Sequence, residues 1–403
     1  MKKSEPHIRI RKSASGKKAS DTKKSPVVAI TRKINPLVRL LLFTRAGGRC
    51  QFDGCNKYLL EHHVTLTEGN FAQIAHIVAF REDGPRGNEE RPANINNVKN
   101  LMLLCPECHK LIDDQPETFT RQTLEGYKKA HDQRIQHVTS LGPEQKTSIL
   151  ILKSKIGDHT VTIPYDHILQ AITPRYPLSK EGLTIDLTQL PATDPSFIKA
   201  ACATISAELQ GFFASGGEFK KSGHISLFAL APIPVLAFLG SQLSNKVPLD
   251  LYQRHRDLEN WTWKQNHAPV RYEVRELQKG TDPARVALIL SLSGAIPLSE
   301  LPAAIDGKFS IYEITLANIV PNPTFLNSKA DLDGFRNVYQ VALGRILRNH
   351  PGNKSIEFFP AIPAPVAVLC GRELLPKVHP ELRIYDNDKR NGGFIYQLTL
   401  NQI

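Results

Sequence analysis

Four cysteines in the first third of the chain form two close pairs with the spacing of metal ligands. Cys50 and Cys55 are separated by four residues, and Cys105 and Cys108 are separated by two, in a chain of 403 residues. Four thiolates complete the tetrahedral shell of a structural Zn²⁺ ion. We therefore expect these cysteines to bind structural zinc.

Two histidines and an asparagine lie along the same stretch. His76 belongs to the strand-like segment QIAHIVAF, Asn100 precedes Cys105 by five residues, and His109 directly follows Cys108. Hydrolysis of a phosphodiester needs a base for the attacking water and positive charge beside the phosphate. A neutral histidine can accept a proton near pH 7, and histidine with a carboxylate can bind Mg²⁺ or Mn²⁺. These residue types are therefore suited to cutting nucleic acid.

The order His, Asn, His on a zinc-binding scaffold, together with the segment NLMLLCPECH, resembles the HNH or ββα-metal nucleases over about residues 45–115. The resemblance implies that His76 is the general base and that His109 binds a catalytic Mg²⁺ or Mn²⁺. It also implies that Asn100 holds the ββα geometry and orients the base through its amide.

One ligand of that catalytic cation is missing from the expected position. Many relatives carry an acidic residue or histidine immediately before the base, where this chain has Ala75. Asp113 lies four residues after His109, and residues at this spacing share one face of a helix. We expect Asp113 to complete the metal shell, with Gln73 as a weaker alternative, and we expect Asp114 to be solvated.

Charge and composition divide the chain into segments. Residues 1–33 carry eleven Lys or Arg residues against two acidic ones, most of the net charge of +12, and we expect a disordered basic tail. It could contact phosphates or only increase solubility. We expect an HNH domain over residues 34–139, beginning with a helix in INPLVRLLLFTRAGG, and a linker over residues 140–148 that begins with SLGPEQKT. Residues 149–403 alternate strand-like and helical runs, which favours an α/β fold.

This last region contains an internal repeat. The segment HISLFALAPIPVLAFLGSQL (224–243) aligns with SIEFFPAIPAPVAVLCGREL (355–374), with seven of twenty positions identical. The repeat predicts two related halves, about residues 149–275 and 276–403, and chance similarity of two buried turns is the alternative. Each copy has a PxP turn at the carboxyl end of a strand, where open α/β sheets bind ligands, and precedes a strand with a tyrosine. The expected ligand contacts here are Pro232, Pro363, Tyr252 and Tyr385.

The segment RHRDLENWTWK combines cations with the chain's two tryptophans. Phosphates are bound by cations, and bases stack on flat rings, so these residues suit a nucleotide. Strand-like alternation would place both tryptophans on one face, where both stack on a ligand or both are core residues. The candidate ligand contacts are Arg254, Arg256, Trp261, Trp263 and Lys264.

The segments SLFALAPIPVLAFLG, DLYQRHRDLENWTWK, ALILSLSG, FFPAIPAPVAVLCGRELLP and IYDND resemble SAVED domains, which are sensors built from two fused CARF-like halves. As a whole the chain is similar to the HNH-SAVED effector nucleases of bacterial CBASS anti-phage defence. The resemblance implies that a cyclic di- or oligonucleotide binds the SAVED domain and drives homo-oligomerisation. The HNH domains then cut double-stranded DNA with little sequence preference.

The expected fold class is an α+β zinc-stapled ββα-metal domain followed by an α/β domain of two fused CARF-like Rossmann halves. No apolar run is long enough for a membrane span, so we expect a cytoplasmic protein without a membrane partner. Two other functions stay open. The chain could be an HNH restriction endonuclease that reads modified DNA, although residues 149–403 lack a basic excess. It could also be a non-catalytic zinc-containing nucleic-acid-binding regulator.

Overall fold

A computed structural model of the protein describes most of the chain after the basic tail. The described residues are 33–156, 159–160, 162–191, 194, 196–265, 268–388 and 392–402. The predicted tail lies outside them except for Lys33. Two compact units meet at Ser140 and Leu141, each with its own hydrophobic core. None of the described helices is long and apolar enough to cross a membrane.

The first unit begins with the predicted helix. α1 (Pro36–Ala46) is capped by Asn35, whose side chain accepts a hydrogen bond from the Leu37 N–H at 2.8 Å. Proline at the first helical position needs no hydrogen-bond partner for its nitrogen, and Gly47 ends the helix in the left-handed conformation at φ 60°. The prediction from Asn, Pro and Gly is confirmed.

The rest of this unit is a ββα arrangement followed by a long helix. Strands β1 (Gln73–His76) and β2 (Leu101–Leu104) pair antiparallel, with His76 opposite Leu101. β2 is fully buried and leads directly into α2 (Pro106–Asp114), and α3 (Arg121–Thr139) follows. This connection places the strand that carries His76 beside the strand that leads to the helix carrying His109.

The second unit contains two sheets. The strands of the first sheet are β3 (Lys146–Lys153), β6 (Tyr176–Pro177), β7 (Leu183–Asp186), β8 (Ile225–Leu230) and β9 (Leu249–Leu251), and a two-stranded ribbon is formed by β4 (Lys155–Ile156) and β5 (His159–Thr160). The strands of the second sheet are β10 (Tyr272–Gln278), β11 (Val286–Ser291), β12 (Ser310–Leu316), β13 (Ser355–Ala361), β14 (Glu381–Asp388) and β15 (Gly393–Leu400). The helices are α4 (Tyr165–Ile172), α5 (Phe197–Phe213), α6 (Glu218–Ser222), α7 (Ile233–Leu243), α8 (Lys329–Asn349) and α9 (Ala364–Arg372).

The two sheets share one parallel order. In the first sheet the order is β7, β3, β8, β9, and in the second it is β12, β11, β13, β14, with antiparallel β10 and β15 added at the edges. The repeated segments thus occupy equivalent places, as β8 with α7 and as β13 with α9. Two sequence boundaries differ from this arrangement. β3 starts at Lys146, within the predicted linker, and the predicted boundary after residue 275 falls inside β10, which pairs with β12 and so belongs to the second sheet.

The repeated helices meet in the core that both sheets share. α7 and α9 cross where Gly240 faces Gly371, two positions that align in the repeat. A Cβ atom on Gly240 would overlap the carbonyl oxygen of Val368, and one on Gly371 would overlap that of Ala237. Only glycine lets the two backbones approach this closely.

Candidate nuclease site and sensor surface

The four paired cysteines converge as predicted. Their sulfur atoms all lie within 4.8 Å of one another, in the only such cluster among the residues described. Cys55 Sγ lies 3.9 Å from Cys105 Sγ, and sulfurs about 2.3 Å from a tetrahedral zinc ion lie roughly 3.8 Å apart. Burial raises the pKa of the Cys50 thiol to about 12, so a bound cation is needed to ionise it at neutral pH. The donor set and its spacing fit a structural zinc ion.

His76 ends β1 with a half-buried ring. Its Nε2 atom lies 2.9 Å from Asn96 Oδ1, and an amide oxygen can only accept, so Nε2 carries the proton. Nδ1 therefore has the free lone pair that a general base requires. Sequence reasoning missed Asn96, which lies within the polar loop of residues 81–99.

Asn100 is buried and holds loop backbone. Its Oδ1 accepts from the Val78 N–H at 2.9 Å, and its Nδ2 donates to the carbonyl oxygens of Val78 and Ile95 at 3.0 and 2.9 Å. These bonds agree with the expected role of maintaining the ββα geometry. The expected contact between the Asn100 amide and the base is not among these hydrogen bonds. The side-chain amide that contacts the His76 ring is that of Asn96.

His109 lies between two oxygen ligands. Its Nδ1 is 2.6 Å from Gln73 Oε1, an acceptor, so Nδ1 carries a proton. Nε2 lies 3.4 Å from Asp113 Oδ2. A lone pair and a carboxylate oxygen this close repel each other unless a proton or a cation lies between them. The pair is therefore suited to binding a cation, with Gln73 fixing the tautomer.

The two aspartates of α2 are both exposed but have different partners. Asp114 is exposed and pairs with Lys110 Nζ at 2.6 Å, one turn earlier on the helix. Asp113 faces His109 with one oxygen, and its other oxygen, Oδ1, lies 3.6 Å from Arg86 Nη2. Ala75 is only 1% exposed and packs in the core of the unit, so its position cannot present a ligand.

Two of the predicted sensor residues are core residues. Tyr252 stacks on Phe228 with ring centroids 4.5 Å apart, and the edge of Trp261 contacts the same ring at 5.3 Å. Tyr252 is 6% exposed and Trp261 is 1% exposed, so their burial does not support the predicted ligand contacts. In the second half Tyr385 stacks on Phe359 at 4.6 Å but stays partly exposed.

Residues 253–265 do not form a strand, so strand alternation does not apply to the two tryptophans. Trp263 is half-buried whereas Trp261 is fully buried. Lys264 Nζ pairs with Asp257 Oδ2 at 2.6 Å, whereas Arg254 is partly exposed and Arg256 is exposed.

Pro232 and Pro363 occupy equivalent places, as the residues before the first turns of α7 and α9 at the carboxyl ends of β8 and β13. Both are half-buried, and neither helix has a side-chain cap. Two buried atoms in the chain segments that follow strands of the first sheet have no hydrogen-bond partner among the described residues. They are Ser154 Oγ, directly after β3, and His255 Nε2, after β9. Such atoms mark a place where a water or a ligand group is needed.

Residues 50–118 match the HNH endonuclease family, and residues 205–400 match SAVED, the "SMODS-associated and fused to various effectors sensor domain". The chain joins an HNH endonuclease domain to a SAVED sensor domain. Both resemblances in the sequence are thereby confirmed, and the match over residues 50–118 indicates a nuclease domain.

No curated protein matches the chain. Among solved structures, it is similar to the Cap4 SAVED/CARF-domain containing receptor of Acinetobacter baumannii with the cyclic trinucleotide 3'3'3'-cAAA, at 13% identity and TM-score 0.41 over 72% of this chain and 62% of that chain. The same receptor with 2'3'3'-cAAA is 14% identical, with a TM-score of 0.40 over 77% of this chain and 65% of that chain. The Moraxella osloensis Cap4 SAVED/CARF-domain containing receptor is 14% identical, with a TM-score of 0.36 over 73% of this chain and 60% of that chain. The HNH-SAVED chain thus covers less than two thirds of the length of these receptors.

Proposed function

We propose that this HNH-SAVED protein is a CBASS-type effector that cuts double-stranded DNA when a cyclic di- or oligonucleotide binds its SAVED domain. The observation that carries the proposal is the joining of two parts in one chain. One is an HNH domain in which His76 Nε2 and His109 Nδ1 each lie within hydrogen-bond distance of a side-chain amide oxygen, and the other is a sensor domain. We place this activity in the bacterial cytoplasm, where phage DNA and nucleotide signals meet.

The proposed hydrolysis begins at His76. Its Nδ1 accepts the proton of the attacking water, while Asn96 Oδ1 accepts a hydrogen bond from Nε2. This hydrogen bond becomes stronger as the ring acquires positive charge, because a charged donor binds a neutral acceptor more tightly. Asn96 therefore favours the proton transfer as well as the tautomer.

The proposed catalytic cation, Mg²⁺ or Mn²⁺, would be held by His109 Nε2 and the Asp113 carboxylate. A divalent cation supplies positive charge for the phosphorane and for the leaving oxygen when it is bound. Gln73 keeps the Nδ1 proton of His109 in place, so that Nε2 stays available. The four cysteines would hold a separate, structural Zn²⁺ that joins the start of α2 to Cys50 and Cys55.

The proposed sensor site lies at the carboxyl ends of the parallel strands, within two CARF-like Rossmann halves. The backbone N–H groups of helix N-termini that follow Pro232 and Pro363 suit anionic ligand groups. Arg254 and Arg256 retain exposed charge for phosphates. The candidate stacking surfaces that stay accessible are Trp263 and Tyr385.

Cleavage of plasmid DNA by the full-length protein tests this function. The protein is incubated with supercoiled plasmid, Mg²⁺ or Mn²⁺, and a panel of cyclic di- and trinucleotides. We expect cutting with one ligand only, and its loss in His76→Ala but not in His137→Ala, a matched change in α3.

The other outcomes assign the alternatives. Ligand-independent cutting limited to modified DNA would identify a restriction endonuclease. No cutting with any ligand or DNA would leave a zinc-containing regulator. Unimpaired cutting by His76→Ala would overturn the assignment of the base.

A further inference from the structure

Arg86 is a buried arginine in the polar loop between β1 and β2. Its side chain is 3% exposed, and burial lowers the pKa of the guanidinium while Asp113 raises it. Nε donates to the Ile77 carbonyl at 2.7 Å, and Nη1 donates to the carbonyls of Ile112 and Phe119 at 2.8 and 3.2 Å. Nη2 has no hydrogen bond among the described residues and lies 3.6 Å from Asp113 Oδ1. One guanidinium thus faces four oxygen atoms.

These oxygens belong to both sides of the nuclease site. Ile77 directly follows His76, so the Nε bond fixes the strand end that carries the base. Ile112 belongs to α2, the helix that carries His109, and Asp113 is its neighbour. The guanidinium is therefore a direct link between the strand of the proposed base and the helix of the proposed metal ligands.

The backbone around Arg86 is shaped to deliver this side chain. Arg86 has φ 56°, a left-handed conformation that costs a non-glycine residue about 1–3 kcal/mol. The next residue must be glycine, because a Cβ on Gly87 would lie 2.6 Å from the carbonyl oxygen of Glu82. Strain of this kind persists only where the surroundings stabilise it, and here the bonds of the guanidinium do so.

We propose that Arg86 is a positioning residue that sets the geometry between His76 and the His109–Asp113 pair. The proposal rests on the proposed nuclease function, because it concerns the same site. The planar fork of arginine reaches several acceptors in fixed directions, whereas lysine presents one ammonium group. Lysine would keep the charge beside Asp113 but could not hold Ile77 and Ile112 together in the same way.

The test compares Arg86→Lys with Arg91→Lys in the full-length protein. Arg91 is in the same loop, and its Nη2 donates to the carbonyl of Phe80 at 2.8 Å. Mn²⁺ binding is measured by the electron paramagnetic resonance signal of the free ion, and cutting rates are measured at saturating Mn²⁺. Zinc content and circular dichroism identify preparations that are folded.

We expect folded, zinc-loaded Arg86→Lys to lose about 10- to 100-fold in Mn²⁺ affinity or in cutting rate, the usual effect of removing a group that orients metal ligands. Arg91→Lys should stay within about twofold of the wild type. Arg86→Lys with unchanged Mn²⁺ affinity and unchanged cutting rate would overturn the proposal.

Failure of the nuclease function is recognised separately. If the wild type does not cut, the proposed function fails, and the Mn²⁺ titration alone decides about Arg86. A normal Mn²⁺ affinity in Arg86→Lys then counts against the positioning role, and a weakened affinity supports it. If Arg86→Lys does not fold, Arg86→Gln is used. The amide nitrogen of glutamine can still donate to a carbonyl, and it lies about as far along the side chain as the Nε of arginine.

Discussion

At the scale of single residues, the two neighbouring aspartates of α2 offer a direct comparison. Asp113 faces His109 Nε2 at 3.4 Å, whereas Asp114 pairs with Lys110. We predict that Asp113→Asn lowers the cutting rate about 10- to 100-fold and raises the Mn²⁺ concentration needed, because a neutral amide binds a divalent cation more weakly. Asp114→Asn should stay within about twofold.

Initial rates of plasmid cleavage over a series of Mn²⁺ concentrations measure both variants. Equal rates in the two variants would remove Asp113 from the metal site. Gln73 would then be the next residue to change.

Residue types and spacing were sufficient to predict that the four cysteines come together and that His76, Asn100 and His109 lie in the same ββα unit. They were not sufficient for Asn96 or Arg86, because both lie in the loop between β1 and β2, whose path depends on distant contacts. The GPRG sequence was the available signal for Arg86, since glycines on both sides permit a tight turn. The ion pair of Arg86 with Asp113 joins residues 27 positions apart and could not be derived from periodicity.

At the scale of elements, the cysteine cluster brings Cys50 and Cys55, which follow α1, together with Cys105 and Cys108 at the start of α2. We predict that Cys108→Ser abolishes zinc binding and unfolds most of this unit, because small metal sites contribute several kcal/mol of folding free energy. Cys202→Ser, a change in α5 of the other unit, should keep a full complement of zinc. Metal analysis by mass spectrometry and thermal unfolding measure the two effects. A folded Cys108→Ser protein with normal zinc content would contradict the assignment of this ligand.

The crossing of α7 and α9 gives the clearest prediction in the SAVED domain. We predict that Gly371→Ala lowers the free energy of unfolding by about 1–3 kcal/mol, because the added methyl group meets backbone atoms that cannot rotate away. Gly211→Ala is the matched control, a helical glycine in α5 with open space at its Cβ. It should stabilise the domain by about 0.5–1 kcal/mol. Urea unfolding followed by circular dichroism measures both, and equal effects would show that the crossing tolerates a side chain.

The repeated elements were predictable because the same residues carry them twice, from strand through PxP turn to helix. The strand at which the first half ends and the second begins was not predictable, because only the hydrogen bonds between β10 and β12 assign β10 to the second sheet. The sequence left open whether Trp261 is a core residue for a similar reason. Its contact with Phe228 on β8 depends on how the segment after β9 folds back, which short-range alternation does not describe.

At the scale of the whole molecule, the number of active sites limits what one chain can do. Each chain carries one candidate base, His76, and one pair of candidate cation ligands, His109 and Asp113. One such site suffices to hydrolyse one strand. Cutting both strands of a duplex in a single binding event therefore needs two sites, which agrees with the proposed ligand-induced homo-oligomer.

Mixed assemblies test this reasoning. We predict that a several-fold excess of His76→Ala chains, added with the activating ligand, changes the product of the wild-type protein from linear plasmid to nicked circles. In a mixed assembly only one of two neighbouring sites can act, so one strand stays intact. Agarose gels measure the ratio of nicked to linear DNA, and the same mixture with His137→Ala chains should still give linear DNA. A ratio that does not respond to excess His76→Ala would mean that each chain completes both cuts alone.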